Sequence, residues 1–381
     1  MFRSCAPFIL SMKGACSFDR CGAFVVMMFV AACNSGPDEH VRIRGKRVIE
    51  NEYAKHFRIL AEDDRRWLIV YGPGGTTDTL GVHAIGGDTA ALPVLERIVV
   101  AGTTYLPYIS SLGKADAVVG AAHMDDVRDA VTRDRYSKGL VVDVGTADGL
   151  DRELLITLAP QAIFDHPFGK DPNAGNDQGI PVIHFTEYLE EHPLGRAEWI
   201  RAFGVLLGEE MRADSLFQAI KDRYLAAARE VPEVERKPVV FFGSTWQGQW
   251  FAPPGNSYMA TLIGDAGGAY AFADQVEEEN ISLDLEALLH KVRRCDRFGM
   301  ILSAPAVDVI TLSAGEERLA RIRSVQEGGF YGNSATSDIF GNALLEPDVV
   351  LRDLRMIFHP LEGDSVPHVY FHPIADQSFT R

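Results

Sequence analysis

Beyond residue 33 this sequence holds a single cysteine, Cys295. The other four, Cys5, Cys16, Cys21 and Cys33, crowd the start of the chain. The body of the protein therefore has no partner for an intramolecular disulfide and no Cys-based zinc site. Cys295 adjoins an apolar run and reads as a small buried hydrophobe. Basic charge is also scarce: 37 Lys and Arg stand against 53 Asp and Glu, a net charge of −16. The first 32 residues contribute +2 through Arg3, Lys13, Arg20 and Asp19, leaving the rest near −18. Such a surface argues against nucleic acid, whose phosphates require a basic patch. After Cys33 no apolar run approaches the roughly 20 residues that cross a bilayer. Nucleotide, zinc-protease and serine-hydrolase signatures are missing too. Gly72, Pro73, Gly74 and Gly75 lack the Lys-Ser/Thr that completes a phosphate loop, so they read as a turn.

What is present is a chain of 381 residues, 46% hydrophobic and 24% charged, with room for two or more domains. Residues 34–92 read as a polar tether followed by a β extension, with a hairpin over 57–71. From 93 to 195 short apolar strands alternate with helices: strands at 97–101, 117–121, 140–144, 161–164 and 181–185, and helices at 105–112 and 151–158. Asp151 is a fitting N-cap for the second helix. Residues 196–231 break this rhythm with one long amphipathic helical pattern over 209–230, about 30 Å if continuous. A second α/β set follows over 232–360: strands at 239–242 and 298–302, helices at 258–263 and 284–290. Residues 361–381 form a tail. The expected fold is α/β, two Rossmann-like lobes joined by one long helix, with an N-terminal β-hairpin extension.

In open parallel sheets ligands sit beyond the carboxyl ends of the strands. Two such loops share a layout of apolar strand, Gly, hydroxyls and aromatic: Gly102, Thr103, Thr104, Tyr105 and Gly243, Ser244, Thr245, Trp246. The loops 102–105 and 243–250 are expected to face one cleft from opposite sides. His123 and His166 follow strands of the first set. Trp246, Trp250 and Tyr258 cluster among hydroxyls, amides and glycines, a mixture suited to a bulky ligand. Tyr331 and Asn333 are outer candidates. The expected contacts are thus Thr103, Thr104, Tyr105, His123 and His166 on one wall and Thr245, Trp246, Trp250 and Tyr258 on the other. A rival reading, an envelope metal-dependent hydrolase using His123, Asp165 and His166, needs three converging ligands, and the spacing offers none. The acidic stretch 274–280 reads as a solvated loop. No catalytic, metal-binding or cofactor-binding residues are assigned.

Ahead of Cys33, an apolar run over 22–32 behind basic residues closes on Val30, Ala31, Ala32 and Cys33. This resembles a bacterial lipoprotein signal over 1–33 and implies an acylated Cys33 on an envelope protein; Met12 offers a second start. The alternative is a buried N-terminal helix with an incidental Cys. Over about 97–360 the chain resembles the helical-backbone substrate-binding proteins of ABC importers for iron–siderophore complexes, haem and cobalamin. The resemblance is carried by Leu112-Gly113 before Ala117-Val118-Val119-Gly120, by 151–164, by Gly179-Ile180-Pro181-Val182, and by 259–268 before 284–289. The run from Glu187 to Trp199 looks like a Bacteroidetes-type branch. The resemblance implies a non-enzymatic receptor that binds a ferric siderophore, haem or cobalamin and hands it to ABC permease subunits. It implies an acidic docking residue on each lobe. Glu286 matches the second; the first matches Pro107, with Asp116 or Asp125 as substitutes. A ligand-less surface interaction protein of the same fold is the remaining alternative.

Overall fold

The computed structural model describes residues 46–87, 91–146, 149–167, 179–246, 248–302, 318–333, 337–361 and 366–374. Cys33, the leader and most of the tether lie outside them. The first element group is an antiparallel sheet in the order β1 (Arg47–Ile49), β2 (Phe57–Glu62), β3 (Arg65–Tyr71) and β4 (Thr79–Ile85). The hairpin expected over 57–71 is thus the centre of four strands. The turn at 72–75 leads into β4, whose Gly81 and His83 had masked its alternation. One face of β2 and β3, with Phe57, Ile59, Leu68 and Val70, is buried in the main core.

The second sheet is parallel. Its strands are β5 (Ile98–Val100), β6 (Val118–Ala121), β7 (Val142–Asp143), β10 (Ala162–Asp165) and β11 (Val182–His184), in the order β11-β10-β5-β6-β7. A two-residue pair, β8 (Gly145–Thr146) and β9 (Gly149–Leu150), closes the loop after β7. Crossovers carry α1 (Leu106–Ser111), α2 (Ala130–Ser137) and α3 (Arg152–Leu158). The Asp129 and Asp151 carboxylates cap α2 and α3 by accepting backbone N–H groups, as expected for Asp151.

Three helices then leave this sheet: α4 (Pro193–Glu198), α5 (Ile200–Leu207) and α6 (Glu210–Arg229). Gly208 ends α5 at φ 72°, a left-handed conformation that glycine reaches without a Cβ penalty. The 20 residues of α6 extend about 30 Å.

The third sheet has a parallel centre of β14 (Ala269–Tyr270), β12 (Val239–Trp246), β16 (Arg297–Met300) and β17 (Phe330–Asn333), with β18 (Phe371–Pro373) antiparallel at one side. Beyond the parallel centre, β12 continues into an antiparallel extension with β13 (Gln249–Ala252) and β15 (Ile281–Leu283). Helices α7 (Tyr258–Asp265), α8 (Leu285–Val292) and a terminal helix, Pro347–Phe358, cover it. Cys295 is buried, and burial pushes its thiol up to about 11, the inert hydrophobe expected.

What fastens the first sheet to the helices is a pair of buried carboxylates. Glu198 accepts the N–H groups of Glu52 (2.8 Å), Tyr53 (2.7 Å) and Ala54 (2.8 Å), and pairs with Arg201. Glu190 accepts those of Lys55 and His56 (both 2.9 Å) and the Trp199 indole N–H (3.0 Å). Saturation of this kind offsets the cost of burying an ionised carboxylate. Replacing Glu198 by Ala strands three N–H groups and the Arg201 guanidinium. We expect Glu198→Ala to lose about 3–5 kcal/mol of unfolding free energy in urea titration. Amide hydrogen exchange at 52–54 should accelerate before that of β5.

Candidate ligand-binding site

The chain order of the parallel sheet reverses at β5: one connection runs to β6 and β7 on one side, the other to β10 and β11 on the opposite side. Such a reversal opens a crevice at the carboxyl ends of the strands. Three expected residues meet there. Thr103 follows β5, His123 follows β6 and His166 follows β10, all half-buried. His123 adopts φ 55°, unusual for a residue with a Cβ, and is fixed by its N–H to Gly145 O (2.9 Å) and its carbonyl to Asp126 N–H (2.8 Å). The His166 imidazole lies beside Gly102: a Cβ there would stand 3.6 Å from its Cδ2. Asp165 Oδ1 accepts the His166 backbone N–H at 2.8 Å.

Beneath these residues lies a buried polar cluster. The Thr104 hydroxyl donates to Glu187 Oε1 at 3.3 Å. Glu187 is 4% exposed, and its Oε2 and the Tyr105 hydroxyl are buried with no hydrogen-bond partner among the described residues. Burial pushes the Glu187 carboxyl up to about 7, against the attraction of Arg196 and the Thr104 hydrogen bond and with Glu190 adding repulsion. Sequence reading missed Glu187. Only its place shortly after β11 marked it.

The expectation that Tyr105 lines the cleft is corrected. Its ring is fully buried, 4.9 Å from Phe185 and 6.0 Å from Phe203, in an aromatic core with Phe164 and Trp199. Trp250 and Tyr331 are likewise core. Trp250 packs edge-on to Phe298 at 6.1 Å. Tyr331 sits among Phe242, Phe358 and Phe371, over Gly299, where a Cβ would fall 2.2 Å from its ring. Asn333 is buried and spends both ends of its amide on the backbone of Leu302, accepting its N–H at 2.7 Å and donating to its carbonyl at 3.2 Å. It splices β17 to the chain leaving β16.

The expected loop over 243–250 is instead a β-hairpin, since β12 runs on to Trp246 and pairs with β13. Thr245 and Trp246 are exposed near its tip, Trp246 at 68%. Tyr258, half-buried at the start of α7, stacks under the Arg196 guanidinium at 4.2 Å, and burial pushes its hydroxyl up to about 12. That stack ties the two sheets' helices together, as do Thr261 Oγ1 to Glu191 O (3.0 Å) and Tyr224 Oη to Asp265 (2.6 Å). A residue the sequence did not single out, Phe340, is 60% exposed in a turn after β17. Asp338 braces that turn by accepting the Asn342 N–H at 2.9 Å, and lies within electrostatic reach of Arg128 and Asp129 beyond β6. Glu286 stands exposed in the first turn of α8, paired with Arg318 at 2.5 Å. Asp116 and Asp125 are both exposed, while Pro107 is buried in α1. Among the described residues no group of three or more His, Cys, Asp or Glu is placed to hold a metal ion.

A family model described as periplasmic binding protein matches residues 98–294, more than half of the chain. The chain belongs to this family. Its members are solute-binding proteins, and the two-sheet α/β architecture is theirs. Among curated relatives, this periplasmic binding protein is 23% identical over 284 residues to an uncharacterized lipoprotein of Methanocaldococcus jannaschii, covering 70% of this chain and 66% of that protein, just under two thirds of its length. Among solved structures it resembles a periplasmic heme binding protein from Pseudomonas aeruginosa, with 18% identity, TM-score 0.57, and coverage of 74% of this chain and 98% of that one. It also resembles an ABC-type Fe3+-hydroxamate transport system protein from Saccharomonospora viridis, with 17% identity, TM-score 0.56, and coverage of 76% and 98%. At these identities the likeness concerns the fold.

The raised Glu187 carboxyl yields a signed pH dependence. With a folded value of about 7 against 4.5 for the free side chain, the folded state holds a proton that the unfolded state has released. Stability therefore falls as pH rises from about 4.5 to 7, by up to about 3 kcal/mol. Glu187→Gln removes this contribution. Urea unfolding of both proteins at pH 5 and pH 8 should show the variant gaining on wild type at pH 8.

Proposed function

We propose that this protein is a lipid-anchored receptor of an ABC importer, capturing a ferric siderophore, haem or cobalamin between its two α/β lobes and delivering it to the permease. The observation that carries the reading is the convergence of Thr103, His123 and His166 at the strand-order reversal of the first sheet. Thr104 stands beside them. Thr245, Trp246 and Tyr258 supply the facing wall, with Phe340 at one end. Residues 93–195 and 232–360 are the two lobes in this reading, and 196–231 the bridge. The haem and Fe3+-hydroxamate proteins among the structural neighbours support this choice of ligand class. The protein performs no bond chemistry in this account.

Because α7 is bolted to α4 and α6, the cleft is largely preformed, and binding loses little free energy to ordering. Trp246 is the exposed member of four tryptophans, the others, Trp67, Trp199 and Trp250, being at most 9% exposed. It supplies a broad π face for a wide ligand. Haemin, ferrichrome and cobalamin titrated separately should include one that binds at micromolar concentration, read by fluorescence quenching and by the ligand's own absorption. Trp246→Ala should weaken that binding about tenfold without changing thermal unfolding. Binding of none of the three sinks the ligand assignment.

Glu286 is the docking acid of the second lobe, held ready by Arg318. The anchor is Cys33. Expressed with its leader in a bacterial host, the protein should fractionate with membranes, and Cys33→Ser should release it to the soluble fraction. Equal membrane association of the two would refute the anchor.

A further inference from the structure

His192 caps α4: its Nδ1 accepts the Leu194 backbone N–H at 3.0 Å. A ring nitrogen that accepts carries no hydrogen, so this cap requires a neutral imidazole with its proton on Nε2. Two other histidines stand the opposite way. His56 Nδ1 lies 3.0 Å from Gly72 O, and His359 Nε2 lies 3.2 Å from Gly267 O. Each of those points a ring N–H at a carbonyl and keeps that bond when the ring is protonated. Protonation of His192 instead sets an N–H against an N–H.

The His192 ring is half-buried where three parts of the chain meet. Tyr53, between β1 and β2, lies 4.7 Å away from ring centre to ring centre, and Tyr224 of α6 meets it edge-on at 6.0 Å. Burial opposes an imidazolium there, Asp265 at the end of α7 attracts it and Lys55 repels it. The balance holds His192 below the ordinary value of 6.5. Lys55 is paired with Glu191 at 2.8 Å, and Asp265 accepts the Tyr224 hydroxyl at 2.6 Å. Glu190, Glu198, Arg196 and His56 also stand at this junction.

What α4 carries makes its cap consequential. Arg196 in its last turn stacks on Tyr258 of α7, and Glu198 clasps residues 52–54. A first-turn N–H that has lost its acceptor favours any arrangement that returns it to water, which here means fraying of α4. We infer that His192 is an acid-operated release on the junction between the two lobes: proton uptake at Nδ1 uncaps α4 and loosens its hold on both the N-terminal segment and α7. The capped state takes up this proton less readily than the frayed one. The junction is therefore tightest above pH 6.5 and loosens as pH falls from 6.5 toward the lower folded value. In the proposed receptor this couples the separation of the cleft walls to external acidity, a consequence that rests on that reading, whereas the release itself does not.

The first test is nuclear magnetic resonance of the purified protein with 15N in its histidines. The signal missing from His192→Asn identifies the His192 ring. At pH 7.5 its Nδ1 should be the unprotonated nitrogen, and the ring should titrate below 6.5. A proton on Nδ1 at pH 7.5, or a midpoint at or above 6.5, would overturn the inference. The second test is amide hydrogen exchange at pH 7.5 and 5.5, corrected for the intrinsic rate. Relative to β12, protection at 193–199 and 52–56 should fall in the wild type by up to about tenfold. Asn caps a helix without titrating, so His192→Asn should lose most of this response. It retains any contribution from Glu190, whose carboxyl burial holds above its usual range. An equal fall in both proteins, or none in the wild type, overturns the release. No ligand or permease enters either measurement.

Discussion

Buried carboxylates that accept backbone N–H groups hold this molecule together. Glu190 and Glu198 take five N–H groups from residues 52–56, a stretch that lies between β1 and β2 and has no ladder of its own. The same device recurs in the second lobe, where Asp353, fully buried, accepts the N–H groups of Val369, Tyr370 and Phe371. Asp296 does it at the start of β12, taking the Val239 N–H with Arg236 and Arg323 alongside. An isolated carboxylate in such surroundings is costly. Surrounded by charge-assisted hydrogen bonds it becomes a fixed point. Each one anchors a segment whose backbone would otherwise be unpaired inside the protein.

From these fixed points the geometry of the cleft follows. The first clasp sets 52–56 against α4 and α5, and Lys55 and Asn256 both reach Glu191 next to Glu190. Since Asn256 precedes α7, the N-terminal sheet, α4 and the second lobe share one junction. Arg196 over Tyr258 and Tyr224 on Asp265 extend it. A junction made of several short-range contacts on four elements resists hinge motion more than a single linker would. In the proposed reading, this junction holds the walls bearing His123 and Trp246 at a set separation.

The alternation of apolar strands and helices was legible, because burial on both faces leaves a continuous apolar run in β5, β6 and β12 that composition cannot hide. So was the N-cap at Asp151. The positions of Thr103, Thr104, His123 and His166 just past parallel strands were legible for the same reason. The aromatics were not. Tyr105, Trp250 and Tyr331 share the composition of cleft residues, and what decides their direction is one residue of register. Trp250 lies on β13 opposite Thr245, and its neighbour across the sheet is Phe298 rather than solvent. The clasping role of Glu190 and Glu198 was equally hidden, since their partners lie about 135 to 146 residues away.

The carboxylates of the N-terminal clasp and of the buried polar cluster differ in how far they are saturated. At Glu190 and Glu198 both carboxylate oxygens accept hydrogen bonds, whereas at Asp353 one oxygen takes three N–H groups and the other is buried without a hydrogen-bond partner among the described residues. Beneath Thr103 and Thr104, Glu187 Oε2 and the Tyr105 hydroxyl have no hydrogen-bond partner among the described residues, one titrating near neutrality and the other sealed among aromatic rings. Leaving such groups unsatisfied lowers stability. His123, in a left-handed conformation a few residues past β6, adds backbone strain at the same edge. The junction thus holds saturated carboxylates, and the strand-order reversal holds an unsaturated one near a strained residue, the distribution that the proposed binding surface on a rigid frame would produce.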